Sequence, residues 1–188
     1  MAVRSFIAFN TSDSIRERME ALQTKLRGAS ADIRWESREN LHATIKFLGN
    51  VDEQQLPSVI SVAGDTVRGF KSFDVTCKGL GCFPNALRPR VIWIGCEDRG
   101  GMLPSLKQAL DNSLIQFGIE REEREFHPHI TLGRVKTEKR IDQLTHMLES
   151  LTFDEESFRC REILLMKSTL NSRGAEYTSL STFLLGED

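Results

Sequence analysis

A four-residue phrase occurs twice in this chain, and the repetition constrains the fold more than any other feature. His42-Ala43-Thr44-Ile45 returns as His129-Ile130-Thr131-Leu132, 87 residues later in a chain of 188. Both copies read His, apolar, Thr, apolar, and a glycine follows each, at Gly49 and Gly133. Alternation of this kind predicts a strand, in which residues two apart share a face. His42 then projects with Thr44, and His129 with Thr131, while Ala43 and Ile130 point into a hydrophobic layer. A spacing near half the chain predicts a single domain over 1–188 built from two similar lobes, each carrying one motif. If the lobes pack about a pseudo-twofold axis, two imidazoles and two hydroxyls meet in one cleft.

The rest of the chain supplies the partners for those strands. Apolar spacing predicts strands at Arg4 to Phe9, Ile33 to Glu36, Leu41 to Leu48, Phe73 to Cys82, Val91 to Gly95, His129 to Val135, Phe158 to Thr169 and Tyr177 to Leu184. Helices are expected from the cap signal Asn10-Thr11-Ser12-Asp13 to about Arg27, from Asp52 to Val67, from Leu103 to Phe117 and from Glu138 to Leu148. A turn is expected over Asn171-Ser172-Arg173-Gly174. This is an α+β pattern with a large antiparallel share: a bilobal fold, helices outside and a central cleft.

Composition narrows the function. Apolar residues make up 39% and charged residues 28%, so the chain can bury a core. The formal net charge of −2 excludes a bulk polyanion binder, and any nucleic-acid contact must be local. No apolar run approaches the roughly 20 residues of a membrane span, and no secretory signal is evident. A cytoplasmic protein is the expectation. Cys77, Cys82, Cys96 and Cys160 form no CxxC pair and are expected as free core thiols rather than a zinc site.

Two histidines and two threonines on one cleft suit in-line displacement at phosphorus. One neutral imidazole accepts a proton from water, and the other, protonated, gives one to the leaving oxygen. Histidine fits because its ordinary pKa, about 6.5, makes both forms accessible. The hydroxyls can donate to the non-bridging oxygens as charge builds there. No metal and no cofactor are implied. Lys46 shares strand parity with His42 and Thr44 and is a candidate substrate contact. Arg134 has the opposite parity to His129 but lies where the strand ends and can turn inward, so it and His127 are further candidate substrate contacts. His127 precedes Pro128 and is expected at the rim or in support of His129. Phe47 and Trp35 are candidates for base stacking or core. His146 is expected on a helix surface.

The phrases Asn40-Leu41-His42-Ala43-Thr44-Ile45-Lys46-Phe47-Leu48-Gly49 and Phe126-His127-Pro128-His129-Ile130-Thr131-Leu132-Gly133-Arg134 resemble the two-histidine phosphoesterase superfamily. Phe6-Ile7-Ala8-Phe9, Trp35, Phe83-Pro84, Pro89 to Gly95 and Gly174-Ala175-Glu176-Tyr177 extend the likeness over nearly the whole chain. It is most similar to the RNA 2′,3′-cyclic phosphodiesterases, also called 2′-5′ RNA ligases. The resemblance implies hydrolysis of a 2′,3′-cyclic phosphate to a 2′-phosphate, with O3′ leaving. It makes His42 the proton donor, His129 the proton acceptor, and Thr44 and Thr131 the phosphate ligands. It also implies related joining of 2′-5′ linked ends, RNA ends or small cyclic nucleotides as partners, and a monomer. A nucleotide-binding module, or a phosphodiesterase for 2′-5′ oligoadenylate or another cyclic nucleotide, would use the same motifs.

Overall fold

The computed structural model describes residues 1–171 and 174–187. Nine strands and four α-helices follow in the order β1 (Ala2–Asn10), α1 (Asp13–Leu26), β2 (Ile33–Trp35), β3 (His42–Asp52), α2 (Leu56–Arg68), β4 (Phe73–Phe83), β5 (Val91–Glu97), α3 (Met102–Leu114), β6 (His129–Val135), α4 (Ile141–Ser150), β7 (Glu156–Cys160), β8 (Glu162–Asn171) and β9 (Gly174–Leu184). The expected turn between β8 and β9 includes Ser172 and Arg173, which lie outside the described residues.

The helices start where local chemistry satisfies their free N–H groups. Ser12 caps α1 by accepting from the Ile15 amide at 3.3 Å, and Ile15, Met19, Leu22 and Leu26 bury one face, as the spacing predicts. The Asp98 carboxylate accepts from the Met102 and Leu103 amides at 2.6 and 2.9 Å and opens α3. Helix α2 starts later than expected because β3 runs on to Asp52, which pairs with Ala2. Pro57 falls in its first turn, where no amide is missed. Helix α4 starts at Ile141 rather than Glu138, after Arg140 takes a left-handed conformation.

All main strands join one antiparallel sheet in the order β7-β4-β5-β6-β3-β1-β8-β9, with β2 added to β6. Its centre is a single register pair, Ala43 opposite Ile130. Outward from there each half has four strands: β3, β1, β8, β9 in one lobe and β6, β5, β4, β7 in the other. The lobes are therefore halves of one sheet, not two separate sheets. The sheet curls, as shown by the bridge from Lys71 to Gly186, which links the start of β4 to the segment after β9. The expected long strand Phe158 to Thr169 is two strands. The chain leaves β4's edge after Cys160 and crosses at Arg161 to pair with β1 in the other lobe.

One large apolar cluster fills the space between the sheet and the helices. A second, smaller one of Phe6, Ala8, Leu164 and Met166 lies with Tyr177 on the opposite sheet face. That second face carries the motif side chains.

Candidate active site

Ile130 and Ala43, the middle residues of the two motifs, are register partners. Antiparallel pairing about that point sets His42 across from Thr131 and Thr44 across from His129, a diagonal arrangement with local twofold symmetry. All four side chains are half-buried on the concave face, while Ala43 and Ile130 are fully buried behind it.

Immediately after each motif the strand carries the same irregularity. On β1, Ala8 pairs with Thr44 and Ile7 with Lys46, so Ile45 is an extra residue. On β5, Trp93 pairs with Thr131 and Ile92 with Gly133, so Leu132 is an extra residue. Each bulge reverses the parity of the residues beyond it. Lys46 therefore does not share the face of His42 and Thr44. It turns into the core, 0% exposed, and its ammonium donates to Asp111 Oδ1 at 2.6 Å and to the Glu120 carbonyl at 2.8 Å. Lys107 completes this buried cluster at 2.7 Å from Asp111 Oδ2. The expectation of Lys46 in the cleft fails for this reason. The same reversal brings Phe47 to the concave face, 58% exposed and beside Phe6. In the second lobe it brings Arg134 there, with Nε 3.6 Å from Glu36.

The imidazoles sit against different walls. His42 stacks on Phe6 at 5.0 Å and meets the edge of Tyr177 at 4.9 Å. His129 meets Phe83 at 5.0 Å and Trp93 at 6.1 Å. Gly81 makes room for that wall, since a Cβ there would fall 2.4 Å from the Trp93 ring. Trp35 is not in the cleft. It packs against the core beneath Arg27 and beside Gly133.

Burial lowers both histidine pKa values. His42 falls from 6.5 to about 4, chiefly by desolvation, with smaller contributions from Arg134 and Arg16 and opposition from the Asn40 backbone. His129 is lowered by desolvation too, opposed by the His127 backbone, with Arg134 and His127 adding to the lowering. The two rings differ at Nδ1. In His129, Nδ1 lies 2.6 Å from the His127 carbonyl oxygen. A carbonyl only accepts, so the proton sits on Nδ1 and a neutral ring keeps a bare Nε2. In His42, Nδ1 is buried without a hydrogen bond of ordinary geometry, although the Asn40 carbonyl is near enough to favour the charged ring. We read this as a loose version of the His129 contact.

His127 supports His129 through its backbone, while its own ring is 60% exposed and 3.3 Å from Glu125. His146 is exposed on α4 and lines a hollow with Gly28 and Met147, away from both motifs. Cys77 and Cys96 face each other across β4 and β5 with sulfurs 3.8 Å apart, both buried. Among the described residues, no three His, Cys, Asp or Glu side chains converge as metal ligands, and no helix is long and apolar enough to cross a membrane. Phe6 and Phe83 are legible in the sequence only through the resemblance. For Phe6 the signal that could have found it is strand parity, since it has the opposite parity to the core residues Ile7 and Phe9.

The sequence model of the LigT-like phosphoesterases matches the chain twice, over residues 10–93 and 94–177, one match per motif. A Methanothermobacter thermautotrophicus protein named RNA 2′,3′-cyclic phosphodiesterase is 35% identical over 98% of this chain and 100% of its own. A Thermotoga maritima protein of the same name is 34% identical over 95% of this chain and 93% of its own. Among solved structures, Escherichia coli LigT in complex with 3′-AMP superposes with a TM-score of 0.78 at 28% identity, over 98% of this chain and 99% of that one. A Thermus thermophilus protein gives 0.82 at 25% identity, covering 98% and 99%. With both halves matched and the relatives aligned nearly end to end, the chain belongs to the LigT-like phosphoesterase family.

Proposed function

We propose that this protein hydrolyses 2′,3′-cyclic phosphates on RNA ends, leaving a 2′-phosphate, by proton transfer between His42 and His129. The observation that carries this reading is the diagonal of two imidazoles and two hydroxyls about the Ala43–Ile130 pair. The name shared by the full-length relatives supports the substrate class.

In the proposed step, water attacks phosphorus, and Nε2 of His129 takes its proton. The P–O3′ bond breaks on the opposite side, and His42 protonates the departing O3′. Thr44 and Thr131 donate to the non-bridging oxygens, and Arg134 holds the negative charge between them. The asymmetry of the two rings supports this split. The less basic imidazole, His42, is the stronger acid once protonated. His129 has its Nδ1 proton engaged, so its Nε2 is free to accept. An approaching phosphate anion raises both pKa values, which lets His42 take up a proton from solvent before the step. A 5′-hydroxyl in place of water would give a 2′–5′ joined strand by the same path. The protein is expected to act as a monomer in the cytoplasm.

The test is turnover of 2′,3′-cyclic AMP in the presence of chelator, with the product isomer identified. Formation of 2′-AMP is expected. Binding without turnover would point instead to a nucleotide-binding module, and 3′-AMP as product would overturn the assigned leaving group.

A further inference from the structure

Beyond the reaction centre, the concave face carries cations that the chemistry above does not use. Arg4 precedes Phe6 by two residues on β1; the register shift between Ser5 and Phe6 leaves its extra residue, Leu48, on β3, so β1 keeps its alternation and both face the cleft side. Arg34 on β2 is the direct register partner of Arg134 on β6. Like charges set directly opposite one another cost stability. Glu36 is the carboxylate near this pair, and it lies by Arg134. Neither Arg4 nor Arg34 has an ion pair among the described residues, and both are exposed. The stem of Arg34 lies over the start of β9, where a Cβ at Gly174 would sit 3.6 Å from its Cδ. Three residues on, Tyr177 reaches the edge of His42. Burial and Glu36 raise the Tyr177 pKa, and the fields of Arg134, Arg34 and Arg4 oppose that, so all three cations act on one hydroxyl.

We propose that Arg4, Arg34 and the Tyr177 hydroxyl form a second phosphate subsite, which binds the 5′-phosphate of the nucleotide bearing the cyclic phosphate. This rests on the reading above, in which His42 protonates O3′. In-line geometry puts O3′, and hence the ribose, on the His42 side of phosphorus, with water on the His129 side. The 5′-oxygen leaves the far side of that ribose and runs toward the groups flanking His42. Those groups are Tyr177 on β9, Arg4 on β1, and Arg34, whose stem reaches from β2 over the start of β9; the walls of His129, Phe83 and Trp93, are uncharged. The subsite makes the protein a processor of strand ends in preference to free cyclic mononucleotides, since an internal strand always carries that 5′-phosphate.

The probes are adenosine 2′,3′-cyclic phosphate with and without a 5′-phosphate, compared at low salt. The 5′-phosphorylated substrate should have a kcat/KM higher by about tenfold or more, the scale of one charge-assisted contact. The double variant Arg4→Gln/Arg34→Gln should bring that ratio close to one while turning over the unphosphorylated substrate normally. A wild-type ratio near one, or a ratio that survives in the variant, overturns the subsite. Calorimetry with adenosine 2′-phosphate and adenosine 2′,5′-bisphosphate reads the same preference without turnover. A preference for the bisphosphate that the variant loses therefore sustains the subsite even if hydrolysis itself is absent. Equal binding of the two overturns it even if hydrolysis is brisk.

Discussion

The two motif strands share a defect and differ in the residues beyond it. Both bulge at the fourth residue of the motif, Ile45 in β3 and Leu132 in β6, and both then turn a different residue to each face. In the first lobe the core receives Lys46 and the cleft receives Phe47. In the second the core receives Gly133 and the cleft receives Arg134. The bulge is thus the shared device that ends the motif and re-aims the strand. The residues it re-aims make the lobes unequal. One half supplies an aromatic surface and a loosely held imidazole; the other supplies a cation and an imidazole fixed by the His127 carbonyl. A duplicated scaffold gives symmetric positions, and the departures from symmetry give the two imidazoles different environments.

Removing either imidazole should break the comparison most severely. His42→Ala and His129→Ala are each expected to lower turnover of a cyclic phosphate by about 10²-fold or more, with thermal unfolding confirming that both variants fold. The double variant should be little worse than the weaker single one, because the pair acts as a unit. In His129→Ala the acid limb of the kcat/KM profile should vanish, since that limb records the base losing its proton. If His42→Ala alone removes that limb, the roles are reversed.

The residues after the bulges sharpen the contrast. Arg134→Ala should cost about 10- to 100-fold in kcat/KM by losing a charge-assisted contact to the phosphate. Phe47→Ala, its counterpart, should stay within about threefold. Titration by NMR gives a second readout. Without Arg134 the His42 and His129 pKa values should both rise, because its charge helps to lower them. Unchanged values would place that guanidinium away from the rings.

These bulges also mark where the sequence stops being legible. His42, Thr44, His129 and Thr131 follow from alternation, which holds through each motif. Alternation carried past each motif puts Lys46 in the cleft and Arg134 away from it, and the structure reverses both; only its place at the strand end keeps Arg134 a candidate. Nothing within Ile45-Lys46 or Leu132-Gly133 announces an extra residue. It exists only relative to Ile7 and Ala8 on one partner strand and Ile92 and Trp93 on the other. The break at Arg161 is hidden for a similar reason. No glycine or proline separates β7 from β8, and only their pairing with different lobes divides them. Local capping was legible: Ser12 begins α1, and the apolar spacing of Leu103, Leu106, Leu110 and Leu114 gives the buried face of α3.

Behind the first bulge, Lys46 should matter to stability in a way its counterpart Gly133 does not. Lys46→Met leaves Asp111 paired with Lys107 but strips Asp111 Oδ1 and the Glu120 carbonyl of their buried donor, which costs about 1–3 kcal/mol for each group left unsatisfied. Replacing all three with apolar residues, as Lys46→Met/Lys107→Met/Asp111→Leu, should recover most of that in urea unfolding. If the single variant is as stable as wild type, the cluster is not sealed from water.

The smallest expected effect tests the unequal desolvation of the two rings through folding itself. The folded-state pKa of His42 is about 4, below its ordinary value of 6.5. Between those values the unfolded chain binds a proton that the folded chain refuses, so protonation favours unfolding. The contribution of His42 to stability is therefore complete above about pH 6.5, declines as pH falls, and levels off below about pH 4. His42→Gln removes this linkage and should flatten the stability profile in that window. His129→Gln should flatten it less, because its ring keeps the His127 carbonyl, which opposes the lowering. Equal flattening by the two substitutions would mean that the walls of the cleft desolvate both histidines alike, and the division into acid and base would then have to come from the bound phosphate alone.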